Sequence, residues 1–134
     1  MATYNKFQAW AENMVESANL GTDSFVVALS SVAPVATNSV LADLTQISYT
    51  NLSSRTLTTA SSTQTGGVYS LTLNDLTLTA SGAVASFRYI TIYDDTPTSP
   101  ADPLVGFYDY GSTITMASGD TLLIDFTGAL FTVT

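Results

Sequence analysis

The stretch Phe87-Arg88-Tyr89-Ile90-Thr91-Ile92-Tyr93 decides the fold class of this chain. It is rich in β-branched and aromatic residues and contains no glycine or proline, which is typical of a β-strand. Successive side chains of a strand point to opposite faces, and here both faces are bulky. A strand of this kind is expected at the centre of a β-sandwich. The two predicted faces are Arg88, Ile90 and Ile92 on one side and Phe87, Tyr89 and Tyr93 on the other.

Period-two patterns continue on both sides of this stretch and predict about eight strands. Their apolar residues alternate with Thr and Ser, whose hydroxyl side chains suit the outer face of a sheet. Turn residues separate the segments at short spacing, so we expect a mainly β fold, an antiparallel β-sandwich or a jelly-roll-like arrangement. The further predicted strands cover residues 25–30, 44–49, 69–73, 76–80, 104–110, 113–116, 121–126 and 130–133.

Two regions are predicted from turn chemistry and composition. Ala117-Ser118-Gly119-Asp120 stands between residues 113–116 and 121–126, and this spacing predicts a hairpin of those two strands. Residues 51–67 are rich in Ser and Thr, with Leu57 as the apolar residue in their middle. We expect them to form either an edge strand or a mobile loop.

One segment near the N-terminus has a helical pattern. Its apolar residues recur at intervals of three and four, which predicts one amphipathic α-helix over residues 4–19 with Thr3 as N-cap. A chain of 134 residues suits one domain. We therefore expect a single domain over residues 1–134, with the helix followed by a β-sandwich over residues 24–134. The apolar stripe of the helix is Phe7, Trp10, Ala11, Met14, Val15 and Ala18.

The charge of the chain restricts its partners. Eleven acidic residues and three basic ones give a net charge of −8, and Lys6, Arg55 and Arg88 are the only cationic side chains. Binding to nucleic acid or to an anionic membrane needs clusters of Lys and Arg, so we expect neither partner. No signal peptide and no apolar run of membrane-spanning length is visible in the sequence. We expect synthesis in the cytoplasm.

The side chains for catalysis are scarce. The sequence contains no histidine and no cysteine, which removes the commonest general base and the usual nucleophile pairs. We expect no enzymatic activity and no cofactor. Asp94, Asp95 and Asp102 surround a loop with Pro97 and Pro100, and they are candidates for a calcium site because hard cations take oxygen ligands. The alternative is a solvated turn, where Asp is common.

Aromatic residues are the candidates for binding. Tyr-rich surfaces serve protein interfaces, and aromatic platforms bind sugars, but aromatic strand residues also fill cores. The aromatic residues weighed for these roles near the central strands are Tyr89, Tyr93, Phe107, Tyr108 and Tyr110. The residues predicted for a protein interface are Tyr4, Phe7, Trp10, Tyr93 and Tyr108.

Several stretches of the chain resemble small virion proteins of tailed bacteriophages. Similar phage proteins often carry a glycine-rich segment after the Ile-Ser pair, and residues 49–59 replace it here, so its role is not carried over. The resemblance touches both ends of the chain and most of its middle. The stretches are Met1-Ala2-Thr3-Tyr4-Asn5-Lys6-Phe7, Val27-Ala28-Leu29, Ala33-Pro34-Val35-Ala36-Thr37-Asn38, Leu41-Ala42-Asp43-Leu44-Thr45-Gln46-Ile47-Ser48, Phe87-Arg88-Tyr89, Tyr93-Asp94-Asp95-Thr96, Asp102-Pro103-Leu104, Asp109-Tyr110-Gly111-Ser112 and residues 120–126.

The resemblance implies a structural protein of the virion. The family members that match best look like capsid decoration (cement) proteins, which bind the outside of the head and stabilise it. The implied partners are the major capsid protein or other virion proteins, and the chain is expected on the capsid exterior, with a dimer or trimer as an open alternative to a monomer. A tail or fibre module that binds host surface glycans is the alternative function, and a calcium-dependent depolymerase is a third.

Overall fold

The computed structural model describes residues 2–134 and contains nine strands and one α-helix in that part of the chain. Helix α1 covers Trp10–Glu16, and Leu41–Asp43 form a short 3-10 turn. The strands are β1 (Thr3–Lys6), β2 (Phe25–Ser30), β3 (Thr59–Thr65), β4 (Val68–Leu73), β5 (Leu76–Thr79), β6 (Val84–Asp94), β7 (Leu104–Met116), β8 (Thr121–Ile124) and β9 (Phe131–Val133).

Strand β6 lies inside a four-stranded antiparallel sheet, as the stretch quoted above predicts. The order of this sheet is β1-β7-β6-β2. On one side β6 pairs with β2, from Phe25 opposite Asp94 to Ser30 opposite Tyr89. On the other side it pairs with β7. Partners on both sides satisfy the backbone hydrogen bonds of β6. Its side chains are bulky on both faces because each face packs into its own hydrophobic core.

Two small antiparallel sheets, β3-β4-β9 and β5-β8, form the opposite layer. Apolar side chains from this layer and from the four-stranded sheet meet in one main core. The predicted fold class, mainly β with antiparallel sheets and one short N-terminal helix, is therefore confirmed. The fully buried members of the main core include Phe25, Val27, Leu29, Leu71, Leu78, Phe87, Ile92 and Val105.

A second core covers the outer face of the four-stranded sheet. The connection between β2 and β3 crosses this face and is held there by backbone hydrogen bonds, such as Leu104 N–H to Ser39 O at 2.9 Å. Leu41 of the 3-10 turn packs onto the buried residues. Strand β2 is consequently buried along its whole length. The buried residues of this second core are Phe7, Val26, Ala28, Tyr93, Leu104 and Phe107.

The predicted helix over residues 4–19 is wrong in its bounds. Residues Thr3–Lys6 form strand β1, which pairs with β7, and the helix covers only Trp10–Glu16. The apolar stripe does not point to one side either, because Phe7 lies in the second core and Trp10 in the main core. The chain passes from one face of the sheet to the other between these two residues, and spacing in sequence does not reveal such a passage.

The predicted hairpin of residues 113–116 and 121–126 is also wrong. The turn itself forms, since Asp120 Oδ2 accepts a hydrogen bond from Ala117 N–H at 2.8 Å and Gly119 adopts a φ of +88°. However, β8 pairs with β5 instead of β7. Residues 104–110 and 113–116 belong to one continuous strand, β7. The turn therefore carries the chain from one layer to the other.

A register shift in β6 changes the faces that alternation predicts. The pairing of β6 with β7 shifts between Phe87 and Tyr89. Between these two pairs β6 advances by two residues and β7 by five, so the ladder is irregular here and strict alternation is interrupted. Phe87 therefore lies in the main core on the same side as Ile90 and Ile92, and it does not share the face of Tyr93.

The connection before β3 is partly as predicted. Residues 44–49 form no strand, although Ile47 N–H donates to Leu29 O at 3.0 Å. Within residues 51–67, Thr59–Thr65 form β3 at an edge of the three-stranded sheet, which confirms the edge-strand alternative there. Just before it, residues 55–57 run beside the outer edge of β2, where Val27 N–H donates to Arg55 O at 3.0 Å.

Candidate functional site

Three of the five predicted interface residues are buried. Phe7 is fully buried in the second core and Trp10 lies in the main core, where its ring meets Phe131 edge to face at 6.0 Å between centroids. Tyr93 is 5% exposed. These aromatic rings stabilise the fold. Their role in an interface stays a prediction, and their burial argues against it.

Tyr4 and Tyr108 are half-buried and contact each other. Their ring centroids lie 5.0 Å apart, on the neighbouring strands β1 and β7. The Tyr4 ring also lies over Gly106, where a Cβ atom would overlap it. Burial raises the pKa of Tyr4 above its ordinary value, with a smaller effect from Tyr108. The missing side chain at Gly106 therefore leaves the space in which the Tyr4 ring packs.

The calcium candidates lie at one corner of the four-stranded sheet, together with Asp23. We call Asp23, Asp94, Asp95 and Asp102 the acidic corner. Two hydrogen bonds close it, since Ser24 N–H donates to the Thr96 side chain at Oγ1 (2.9 Å) and Asp95 N–H donates to Ser24 O (2.8 Å). Asp94 has no exposed surface, and its buried Oδ2 atom has no hydrogen-bond partner.

The electrostatics of the acidic corner favour proton sharing. Burial raises the pKa of Asp94 to about 8, and a hydrogen bond with the Asp23 carboxyl adds to the rise. Burial also raises the pKa of Asp102, followed by the charge of Asp95 and a hydrogen bond with it. With a pKa of about 8, the Asp94 carboxyl holds a proton at neutral pH that it can donate to the neighbouring Asp23 carboxyl.

The geometry gives no support to a metal ion at this corner. Among residues 2–134, no three His, Cys, Asp or Glu side chains form a group that could hold a metal ion. The carboxyl groups occur as two pairs, Asp23 with Asp94 and Asp95 with Asp102. Calcium binding by Asp94, Asp95 and Asp102 stays a prediction, and the raised pKa of Asp94 would oppose it, because a protonated carboxyl is a poor ligand for a cation.

An apolar groove lies between helix α1 and the three-stranded sheet. Its volume is about 540 Å³. Val15 is 77% exposed, which is the largest exposed fraction of any large apolar side chain in the described residues. We call this surface the helix groove and define it by Met14, Val15, Ala18, Leu20, Tyr69 and Val133.

A smaller cleft lies between β7 and β8. Its volume is about 280 Å³, and Tyr110 and Leu123 are its most exposed apolar residues, at 45% and 57%. Tyr110 is the only exposed residue of the aromatic set weighed for sugar binding, because Tyr93 and Phe107 are buried and Tyr89 and Tyr108 are half-buried. We call this surface the tyrosine cleft, and define it by Tyr108, Tyr110, Leu122 and Leu123.

Two features of these surfaces are not visible in the sequence patterns. The apolar stripe predicts Val15 on the buried side of the helix, but this side chain is 77% exposed on α1. No pattern connects Asp23 with Asp94, because 71 positions separate them and only the pairing of β2 with β6 brings them together.

Comparisons with protein-family models, with curated protein sequences and with solved structures found no match for this chain. Within residues 2–134, no helix has the length and apolar character needed to cross a membrane.

Proposed function

We propose that this chain is a structural protein of a tailed-phage particle, and that it decorates the outside of the capsid by binding the major capsid protein. The proposal rests on the resemblance of the quoted stretches to small virion proteins and on the character of the surface. The observation that carries it is the combination of an acidic, cation-poor surface with exposed apolar grooves. Such a surface suits contact with other proteins and is unsuited to DNA.

The positions of the cationic side chains support this reading. Arg88 binds Asp109 through two hydrogen bonds, of 2.7 and 3.1 Å. Arg55 lies 3.6 Å above the ring of Tyr49 and donates to Val27 O. Lys6 stands apart on the edge strand β1. The three cations are scattered, and two of them already bind groups of this chain, so they form no site for a phosphate backbone. The packaged DNA inside a head would also repel a chain of charge −8.

The polar surface also suits attachment in many copies. Ser and Thr cover the outer faces of the small sheets, as in β3, whose residues are half-buried or exposed. Hydroxyl groups lose less free energy than charged groups when a protein interface removes them from water. Since a capsid lattice offers many equivalent sites, a modest contact at each site is sufficient for ordered binding.

Glycan binding by a tail or fibre module is not carried further as a second function. The aromatic set weighed for it forms no exposed platform, because Tyr110 alone of that set is exposed. It stays a prediction.

The proposal is tested with heads of the encoding phage that were assembled without this chain. Purified chain is added in increasing amounts, and the heads are reconstructed by cryo-electron microscopy. We expect density for the chain at regular sites on the outer surface and a higher temperature for loss of DNA from the heads. An unrelated acidic protein of similar size is the control. Saturating chain without ordered density on the outer surface of the head would overturn the decoration proposal.

A further inference from the structure

We propose that the helix groove is the surface by which this chain docks on the capsid protein, and that it receives an apolar segment flanked by Lys or Arg. This inference rests on the proposed function, and it adds the contact surface and the chemistry of the segment that the surface recognises.

The exposure of apolar side chains supports docking at this groove. A single exposed apolar residue is normal on a protein surface, but several around one depression mark an interaction site. Here Val15 is 77% exposed and Val133 is 39% exposed, and Met14, Leu20 and Tyr69 complete the walls. The volume of about 540 Å³ accommodates several side chains of one partner segment. Covering these groups would remove from water the most exposed apolar side chain of the described residues.

The charges beside the groove identify the chemistry of the occupant. Glu12 and Glu16 lie one helical turn apart on α1, next to Val15, and both are exposed. None of the lysine and arginine residues lies on α1, β3, β4 or β9, which form the groove. A partner segment with Lys or Arg beside its apolar residues would pair with the two glutamates.

The same charges argue against the other occupants. A second copy of this chain would bring glutamates against glutamates, and two molecules of charge −8 repel each other. An anionic membrane surface would be repelled for the same reason. The groove therefore favours a cationic protein segment over self-association and over lipid.

The tyrosine cleft provides a matched control. Leu123 is also an exposed apolar residue, at 57%, but it lies on β8 outside the helix groove. The variants Val15→Lys and Leu123→Lys make the same kind of change at the two surfaces. Lysine favours a helix at least as well as valine does, and a cation near the C-terminal end of a helix is favourable, so Val15→Lys preserves the fold.

The experiment measures binding of wild type, Val15→Lys and Leu123→Lys to heads assembled without this chain, by co-sedimentation over a concentration series. We expect Val15→Lys to bind at least tenfold more weakly than wild type, and Leu123→Lys to bind within about twofold of wild type. The variant Glu16→Lys, which leaves the apolar walls intact, should also weaken binding. Wild-type binding should decrease as salt increases. Equal melting temperatures for the four proteins show that the fold is unchanged.

The outcomes separate the two proposals. Wild type that fails to bind heads overturns the proposed function. Wild type that binds while Val15→Lys and Glu16→Lys bind equally well overturns the docking surface and leaves the decoration proposal standing. Weaker binding by Leu123→Lys alone would assign docking to the tyrosine cleft. A wild-type dimer that Val15→Lys dissociates would show that the groove receives a second copy, which also overturns the inference.

Discussion

Asp94 is a residue without exposed surface at the end of the central strand β6, and its carboxyl group lies beside that of Asp23 in the loop before β2. Its pKa is raised from 3.8 to about 8, mainly by burial. The folded chain therefore holds a proton that the unfolded chain releases above about pH 4. The contribution of this proton to the free energy of unfolding is fully present below the unfolded pKa of Asp94. It is lost as the pH rises through the folded pKa of about 8.

We expect the melting temperature of wild type to fall between pH 6 and pH 9, and we expect Asp94→Asn to reduce this fall. The amide that this substitution introduces stays neutral and donates to Asp23 at every pH, so the variant should be the more stable protein at pH 9. The absence of histidine leaves few other groups that titrate in this range. The measurement is a thermal melt at each pH, with Asp125→Asn at an exposed carboxyl as control. Parallel pH profiles for wild type and Asp94→Asn would contradict the shared proton.

At the scale of elements, the connection between β2 and β3 supports strand β2 through side-chain contacts. It does so at residues that form no strand themselves. Tyr49 Oη accepts a hydrogen bond from Leu29 N–H at 2.9 Å and donates one to Gln46 at 2.6 Å. The Arg55 guanidinium covers the ring from 3.6 Å. These contacts satisfy the outer edge of β2, a position where an unpaired strand would expose its backbone groups.

We expect Tyr49→Phe to lower the free energy of unfolding by about 1–3 kcal/mol, because Leu29 N–H would lose its partner beside a buried residue. The variant keeps the ring and its contact with Arg55, so the loss reports on the hydroxyl group. Urea denaturation followed by fluorescence provides the measurement. Tyr110→Phe, at an exposed tyrosine, should change the value by no more than about 0.5 kcal/mol. Similar values for both variants would show that the Tyr49 hydroxyl does not support β2.

At the scale of the whole molecule, the net charge of −8 is an unfavourable contribution to the compact state. Two exposed acidic groups of the helix, Glu12 and Glu16, concentrate part of it. Increasing NaCl shortens the range of repulsion from about 30 Å at 0.01 M to about 8 Å at 0.15 M.

We expect the melting temperature at pH 7 to rise by about 2–4 °C between these two salt concentrations, the shift that ~1 kcal/mol produces in a chain of this size. Differential scanning calorimetry at both concentrations checks it. Sodium sulfate at equal ionic strength serves as a comparison, since sulfate also strengthens apolar burial and should raise the value further. A melting temperature that falls with NaCl would mean that attractive ion pairs, such as Arg88 with Asp109, outweigh the repulsion.

The alternation of residues 87–93 and the turn residues predicted a mainly β fold with antiparallel sheets, because both signals are local. The acidic balance and the lack of histidine and cysteine are likewise properties of the sequence by itself. Each of these follows from residues close together in the chain, whose side-chain period or charge does not depend on distant partners.

The tertiary structure decided which segments meet. Strand β8 pairs with β5 instead of its neighbour in the chain, Phe7 and Trp10 enter different cores, and Asp23 lies against Asp94. The same cause shortened the helix, since the first residues satisfy their backbone groups by pairing with β7. Packing between distant segments selects among locally acceptable arrangements, and its free energy comes from contacts that exist only after the chain has folded.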